Sequence, residues 1–310
     1  MPFDFDAAVN APFRMQPGLR RVAAGTPQLT PLPAGNPHQR EKLAVLSAFW
    51  SQALCATPGF DAALALGALC RHAAAEQPQA WAWDGERAQA LQLGAAVDRA
   101  GTIEQLRGGS FGLGDEITRC LQGLPPEWRL AGLASLAFAE DFAIVDAASG
   151  TIPWLAVCLP SHWAPQAKVG RHFTEVHGPV ADNALLLKAT AGLLRLVTSP
   201  EAWERFVWTV TDHPRLNAHP AVTDPQRWTR PIEQGAWFRS EHQSFIPLPE
   251  HAQAVFTIHV QLQDLAEVAA DARRAAALHD AIATMSPAVL DYRGLTPVRD
   301  ALLAWLAARR

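Results

Sequence analysis

Three histidines and a lysine fall close together within residues 154–183, a stretch that also holds several prolines and glycines. The histidines are His162, His172 and His177, and the lysine is Lys168. Neutral imidazole nitrogens bind transition metals, and a lysine can pair with an anionic group. This stretch is therefore where we expect a metal or cofactor to bind.

The chain around the third histidine predicts how its side chain is positioned. Apolar residues recur between positions 167 and 176 with the spacing of a short amphipathic helix. Gly178 and Pro179 end this helix, because proline has no amide donor and restricts the residue before it. His177 is thus expected at the end of a helix, where it can face a bound group while Phe173 and Val176 pack beneath it.

A second set of polar residues alternates along a predicted strand over residues 236–245. Arg239, Glu241 and Gln243 are two residues apart, so their side chains point to the same face of that strand. A strand face that carries these three groups is either a buried polar network or the wall of a pocket. The sequence leaves both interpretations open.

A glycine-rich segment over residues 108–114 is a weaker candidate for a binding site. Such loops can hold a phosphate through their backbone amides, but the Lys-Ser or Lys-Thr pair of a P-loop does not follow this one. The strand that precedes a dinucleotide fingerprint is also missing. A flexible connector is the favoured interpretation.

Composition limits the classes of function. The 310 residues carry a net charge of −4, which gives no electrostatic reason for binding nucleic acid or an anionic membrane. The four cysteines, Cys55, Cys70, Cys120 and Cys158, form no C-x-x-C pair and predict buried free thiols in a reducing compartment. With no signal peptide at the start and no long apolar run, we expect a cytoplasmic protein.

The periodicity of apolar residues predicts an α+β fold with a mostly antiparallel sheet. An extended arm over residues 1–37 precedes a mainly helical first third, and strands begin within residues 128–160. A segment over 203–210 is expected to begin as a helix, because Ser199 and Pro200 resemble a helix start. The other predicted elements are helices at 41–56, 60–75, 86–100, 116–121, 183–197, 262–284 and 297–308, strands at 142–145, 154–159, 236–245 and 254–261, and a loop at 211–235.

Several motifs occur together in the order typical of one protein family. The run over residues 160–180 reads P-S-H-W, then K-x-G, then F-x-x-V-H-G-P-V. It resembles the central signature of the haem-dependent oxidative N-demethylase family, bacterial proteins with a haem-binding PAS-like fold. Further similar segments extend the resemblance from about residue 12 to the C-terminus; they lie at 139–145, 208–216, 239–249, 256–258 and 285–300.

The resemblance implies a single domain over residues 1–310. Its parts would be a helical N-terminal part to about residue 127, a PAS-like core with a haem pocket over about 128–261, and C-terminal helices over 262–310. The chain departs from the family pattern at His162, where many relatives carry arginine, and at residues 181–183, where they usually have Pro-Gly.

The resemblance also implies roles for individual residues around haem b and its iron. His177 is the expected axial ligand because it stands in the family's V-H-G-P-V motif, and His162 is the second candidate. Lys168 and Arg239 are candidate partners for the haem propionates, and Trp163 and Phe173 are expected to line the cofactor. Glu241 and Gln243 are the candidate catalytic residues, with the carboxylate holding a protonated amine. His172 is expected at the surface.

The implied reaction is the O₂-dependent oxidative N-demethylation of a small secondary amine, with release of formaldehyde. Its electrons would come from a separate flavin and iron–sulfur protein, because this chain has neither a dinucleotide fingerprint nor a cysteine cluster. Two alternatives remain. One is a haem or gas sensor of the PAS type without turnover. The other is a non-haem metal hydrolase that uses His162, His172 and His177, whose spacing matches no recognised ligand motif.

Overall fold

The structure is a computed structural model that describes residues 3–108, 112–178, 181–182 and 184–310, without the side chains of His177 and residues 184–186. The described helices are α1 Phe5–Ala8, α2 Pro37–Ala53, α3 Ala63–Glu76, α4 Glu116–Gln122, α5 Pro126–Ala137, α6 Phe173–His177, α7 Ala184–Val197, α8 Leu265–Val268, α9 Ala272–Ala283, α10 Pro287–Tyr292 and α11 Arg299–Ala307. The described strands are β1 Arg20–Arg21, β2 Leu54–Ala56, β3 Trp81–Trp83, β4 Arg87–Ala90, β5 Ala95–Asp98, β6 Ile103–Gln105, β7 Asp141–Asp146, β8 Thr151–Ala156, β9 Trp203–Thr211, β10 Trp237–Leu248 and β11 Gln253–Asp264.

A seven-stranded antiparallel sheet forms the centre of the fold, with the strand order β1-β9-β10-β11-β7-β8-β2. Its longest ladder is the hairpin of β10 and β11, in which Glu241 lies opposite Val260 and Gln243 opposite Ile258. Directly paired residues share a face, so these four side chains lie on one side of the sheet. The predicted α+β class with a mostly antiparallel sheet is confirmed.

A second, four-stranded sheet of β3 to β6 lies in the N-terminal third. It corrects the prediction of a helix over residues 86–100, which instead form β4 and β5 with a turn between them. Gly94 in this turn has a φ of +66°, and a Cβ atom there would lie 2.8 Å from the carbonyl oxygen of Arg107. Alanine-rich sequence favours a helix locally, but the buried ladder between the strands decides the structure.

Two further expectations were wrong. Residues 126–137 form helix α5 within the stretch where strands were expected to begin, and residues 203–211 are strand β9 throughout. The start signal at Ser199 and Pro200 does not produce a helix, because Trp203, Phe206 and Val210 are strand-forming residues and the segment pairs with β10 along its length. The helices near 41–56, 60–75, 116–121 and 183–197 and the hairpin before Thr151 are confirmed.

The N-terminal residues form the predicted arm over the body of the fold. The indole Nε1 of Trp208 donates to the carbonyl oxygen of Ala8 at 3.0 Å, and the backbone nitrogen of Phe13 donates to Thr284 Oγ1 at 2.9 Å. Strand β1 then adds to the edge of the sheet beside β9. The arm therefore covers the β9 edge and reaches the C-terminal helices.

A buried ion pair joins helix α2 to the beginning of strand β7. Lys42 Nζ lies 3.1 Å from Asp141 Oδ1, and neither side chain is more than 1% exposed. The same ammonium donates to the carbonyl oxygens of Phe138 and Glu140, and Asp141 Oδ2 accepts from the backbone nitrogen of Leu159 at 2.7 Å. The pair thus fixes the chain just before residue 160, where the histidine-rich segment begins.

The four cysteines are free and buried, as predicted. Burial raises the pKa of the Cys70 thiol to about 12 and that of Cys55 to about 11, which keeps both in the unreactive thiol form at neutral pH. Within the described part of the chain, no helix combines the length and the apolar character needed to cross a membrane.

Lys42→Met should lower the free energy of unfolding by about 3–5 kcal/mol, because it leaves the carboxylate of Asp141 buried without its counter-ion. Chemical denaturation monitored by circular dichroism measures the change. Arg273→Met is the matched control. Arg273 pairs with Asp271 at 3.6 Å while 83% exposed, so its loss should cost less than about 1 kcal/mol. Equal losses in the two variants would contradict the role given to the buried pair.

Glu140→Gln should become more stable relative to the wild-type protein as pH rises. Burial raises the folded-state pKa of Glu140 to about 7, and its Oε1 lies 3.4 Å from His259 Nδ1. A carboxyl group whose folded pKa is raised stabilises the fold below its unfolded value near 4.5, and the contribution is lost as pH rises towards 7. Denaturation at pH 5 and pH 8 should show a relative gain of up to about 3 kcal/mol. A pH-independent difference would contradict the assignment.

Candidate functional site

A cavity of about 730 Å³ lies between the central sheet and helices α6 and α7, with the N-terminal arm along its edge. Its volume is within the range of small-molecule and cofactor pockets. Strands β7, β8, β9, β10 and β11 all contribute to its walls. The apolar part of the lining consists mainly of Ala143, Val145, Ile152, Leu155, Trp163, Phe173, Val176, Leu193, Leu194, Val197, Phe245, Phe256 and Ile258.

Arg239, Glu241 and Gln243 lie side by side on the wall that strand β10 forms. The sequence left open whether they form a polar network or a pocket wall, and the structure shows both. Gln243 Nε2 donates to Glu241 Oε2, and Ser161 Oγ donates to Glu241 Oε1. The strand alternation predicted this shared face, but Ser161 joins it only through the fold.

Arg239 is only 1% exposed and holds the segment at residues 159–161 in place. Its Nε donates to Ser161 Oγ at 2.7 Å, and its Nη2 donates to the carbonyl oxygens of Leu159 and Leu216 at 3.2 and 2.8 Å. Further bonds reach the carbonyl oxygens of Pro160 and Arg215. Burial lowers the pKa of the guanidinium to about 10, so it stays charged at neutral pH. Most of the donors of Arg239 bind the protein itself. Its expected role as a partner of a haem propionate stays a prediction.

Arg205 on strand β9 completes the network, and the sequence analysis missed it. Its Nε donates to Gln243 Oε1 at 2.6 Å, and its Nη1 lies 3.4 Å from the carbonyl oxygen of Pro17 in the arm. Burial lowers the pKa of its guanidinium, and the nearby charge of Glu241 opposes that change. The sequence analysis missed Arg205 because it expected a helix to begin at residue 199. A strand beginning at Trp203 would have placed Arg205 opposite Gln243.

The two guanidinium groups fix the direction of every hydrogen bond in this network. A guanidinium only donates, so the side-chain oxygen of Gln243 must face Arg205. Its amide nitrogen therefore faces Glu241. In the same way, Arg239 occupies the oxygen of Ser161 as an acceptor and leaves the hydroxyl proton for Glu241. Glu241 therefore accepts at both oxygens. The arrangement holds an oriented carboxylate on the cavity wall.

His162, one of the candidate cofactor-binding residues, also lines the cavity. Its backbone φ is +60°, a left-handed conformation that few side chains adopt, and it is held there by a bond from its nitrogen to the carbonyl oxygen of Ala218 at 3.0 Å. Burial, aided by the charges of Arg227 and Arg239, lowers the pKa of the imidazole to about 3. The ring is therefore neutral, and it lies 5.3 Å from the ring of His213.

The segment that carries His177 forms the opposite wall. Phe173 and Val176 of helix α6 line the cavity, and Lys168 Nζ donates to the carbonyl oxygen of Val176 at 2.8 Å. Burial lowers the pKa of this lysine. His177 is the last residue of α6, directly after Val176, but its side chain lies outside the described part. Its role as the axial ligand therefore stays a prediction, as does the propionate role of Lys168.

His172 is exposed, as predicted, and caps helix α6 through its Nδ1 atom, which accepts from Thr174 at 3.3 Å. Among the described side chains, no group of three or more His, Cys, Asp or Glu residues is placed to hold a metal ion. Residues 109–111 of the glycine-rich segment lie outside the described residues, so the prediction of a connector there stays a prediction.

Two residues at the end of helix α10 reach the same cavity. Arg293 Nη1 donates to the carbonyl oxygen of Trp208, and its guanidinium lies 4.7 Å from the ring centre of Phe13. Tyr292 lines the cavity and keeps half of its surface accessible. Partial burial raises the pKa of its phenol above the usual value of 10.0. These residues belong to a motif seen in the sequence, but nothing in their spacing predicted a place at the site.

A comparison with protein-family models agrees with this arrangement. The model of haem-dependent oxidative N-demethylase, alpha subunit-like, matches residues 115–303. That stretch contains strands β7 to β11 and most of the cavity wall, whereas the N-terminal arm lies outside it. The resemblance seen in the motifs is therefore confirmed over well over half of the chain. The chain belongs to the haem-dependent oxidative N-demethylase, alpha subunit-like family.

Proposed function

We propose that this chain is an oxidoreductase that binds haem b and uses O₂ to remove a methyl group from a small secondary amine, with release of formaldehyde. In this proposal residues 1–310 act as one unit, and the sheet over about 128–261 is a PAS-like core whose cavity takes the haem. The observation that carries it is the carboxylate of Glu241, which is held as an acceptor at both oxygens on the wall of a large, mainly apolar cavity.

The described lining fits a haem. A macrocycle needs an apolar slot, cations for its propionates and a neutral imidazole for the iron. Trp163, Phe173 and the strand residues supply the apolar surface, and Lys168 supplies a cation beside helix α6. His177, at the end of that helix, is the proposed axial ligand. The neutral ring of His162 is the second candidate.

When bound, the haem would supply the activated oxygen that attacks a C–H bond beside nitrogen. The chain's own residues bind and orient the amine. A protonated secondary amine donates to Glu241, and the bonds from Ser161 and Gln243 keep that carboxylate from rotating. Residues of the N-terminal arm line the cavity beside β9, where they would limit the access of water to this wall. Water exclusion strengthens the charge-assisted bond.

The alpha-subunit-like description suggests a partner subunit. We propose that a separate flavin and iron–sulfur protein delivers the electrons, since the cysteines of this chain are buried one by one rather than clustered. We propose that the protein works in the cytoplasm and that neither a nucleic acid nor a membrane takes part in its reaction.

The protein expressed with sufficient haem should be coloured and show a Soret band, and His177→Ala should lose most of that band, because an axial nitrogen is removed. Visible spectroscopy on the purified variants is the measurement. His162→Ala is the matched control and should keep the band. A band lost in His162→Ala and kept in His177→Ala would reverse the ligand assignment. A wild-type protein that stays colourless after reconstitution would overturn the proposed function.

Glu241→Gln should bind a small methylated amine about tenfold or more weakly, because a charge-assisted hydrogen bond contributes roughly 1.5–3 kcal/mol. The change keeps the shape of the side chain, so the haem spectrum should stay largely intact. Binding is measured by calorimetry on the haem-loaded protein, and formaldehyde release by turnover with O₂ and an external reductant. Glu250→Gln, exposed on the same hairpin, is the control and should bind like the wild-type protein.

Two results would speak against this assignment. Unchanged amine binding in Glu241→Gln would remove the role of the carboxylate while leaving the haem assignment in place. Reversible binding of O₂ or carbon monoxide without formaldehyde from any amine would instead identify a sensor.

A further inference from the structure

The charged residues around the cavity are strongly unbalanced. Among its described lining residues, Glu241 is the one acid. The lining cations are Arg14, Arg20, Lys168, Arg205, Arg227, Arg239 and Arg293. Low-dielectric walls strengthen such a field, which favours anionic groups and disfavours a ligand whose charge is purely positive. A simple alkylammonium ion would be attracted at Glu241 alone.

Protein partners already satisfy several of these cations. Arg20 lies 2.8 Å from Asp4 and 2.9 Å from Glu204, and Arg227 lies 3.1 Å from Asp212. Arg239 donates to backbone carbonyl groups and to Ser161, as described above. Arg293 donates to a carbonyl group and covers the rings of Phe13 and Trp208.

Arg14 is exposed on the N-terminal arm, whereas Arg205 lies within the wall on strand β9, beside Gln243. Within the described residues, no carboxylate lies in ion-pair contact with its guanidinium, although the charge of Glu241 is close enough to influence it. Its Nε is bound to Gln243, and its Nη1 makes a long contact of 3.4 Å with the carbonyl oxygen of Pro17. No hydrogen bond of its Nη2 to a described residue is seen. Arg205 lines the cavity, and the Nη1 and Nη2 groups of a planar guanidinium are suited to bidentate binding of a carboxylate.

We propose that the amine substrate is an N-methyl amino acid, whose ammonium group binds Glu241 and whose carboxylate binds Arg205. This inference rests on the proposed function and narrows its substrate class. Gln243 lies between the two charged groups and is bonded to both, so they are separated by a single amide side chain. One small zwitterion can therefore contact both at once.

The reaction of such a substrate is the same demethylation. The N-methyl carbon takes one oxygen atom from O₂, and the other oxygen leaves as water with two electrons from the electron-transfer protein and two protons from solvent. The resulting carbinolamine breaks its carbon–nitrogen bond to give formaldehyde and the primary amino acid. Arg205 binds the substrate throughout and exchanges no proton or electron.

Calorimetry with N-methylglycine and dimethylamine on the haem-loaded protein tests the inference. The wild-type protein should bind N-methylglycine at least tenfold more tightly, because the second charged contact is added. Arg205→Met should weaken N-methylglycine binding at least tenfold more than dimethylamine binding. Arg205→Lys, which keeps the charge without the planar fork, should fall between. Arg195→Met, an exposed arginine on helix α7, is the control and should behave like the wild-type protein.

Each other outcome overturns the inference, and the outcomes are distinguishable. Equal or tighter binding of dimethylamine, with formaldehyde released from it, rejects the amino-acid substrate and leaves the proposed function in place. An equal loss for both ligands in Arg205→Met shows that Arg205 only supports Glu241. Loss of the Soret band in that variant assigns Arg205 to a haem propionate. Binding of neither ligand to the wild-type protein overturns the proposed function as well.

Discussion

The buried guanidinium of Arg239 is the group on which the geometry of the site depends. A charge that is almost fully removed from water is tolerated only when its donors are satisfied, and here carbonyl groups from two separate loops and the hydroxyl of Ser161 satisfy them. The same bonds that stabilise the charge therefore tie strand β10 to residues 159–161 and 215–216. Together with the bond from Ser161 to Glu241, they set the position of the loop that carries Ser161 and His162 against strand β10.

Arg239 also determines which atoms donate and which accept in the hydrogen bonds that reach the cavity. Arg239 and Arg205 can only donate, so Ser161 and Gln243 each receive on one side and donate on the other, and Glu241 lies where both series end. A carboxylate fixed in this way is a rigid acceptor for a cationic group. The surrounding cations make the same cavity attractive to anionic groups, which agrees with a cofactor that carries propionates and with a substrate that carries both charges.

Two other interactions support this arrangement from outside. The Lys42 and Asp141 pair fixes Leu159 through its backbone nitrogen, directly before the segment that enters the cavity. On the far side, the N-terminal arm is held to β9 by Trp208 and Arg205. The arm lies outside the residues that the family model matches, so it is the part of the wall most able to differ between this chain and its relatives.

Local sequence determined the elements and the motifs. Alternation placed Arg239, Glu241 and Gln243 on one strand face. Apolar spacing predicted a helix over residues 167–176, of which the structure has only the last part, as α6. These features depend on residues two to four apart, so a single sequence contains them. The family was also evident from motifs whose order survives in the chain. The helix expected over 86–100 and the helix start expected at residue 199 were wrong, because pairing with distant strands outweighed local preference.

Tertiary structure decided which groups meet. Ser161 is 80 residues from Glu241, and Arg205 is 38 residues from Gln243, and neither separation leaves a periodic signal in the sequence. The register between β9 and β10 and the loop held by Arg239 bring them together. The left-handed backbone of His162 is held by its hydrogen bond to Ala218, and its ring is neutral because it is buried beside two arginines. The sequence therefore identified Glu241 as a candidate. Only the fold determined that Ser161 and Gln243 orient its carboxylate and that Arg205 lies nearby.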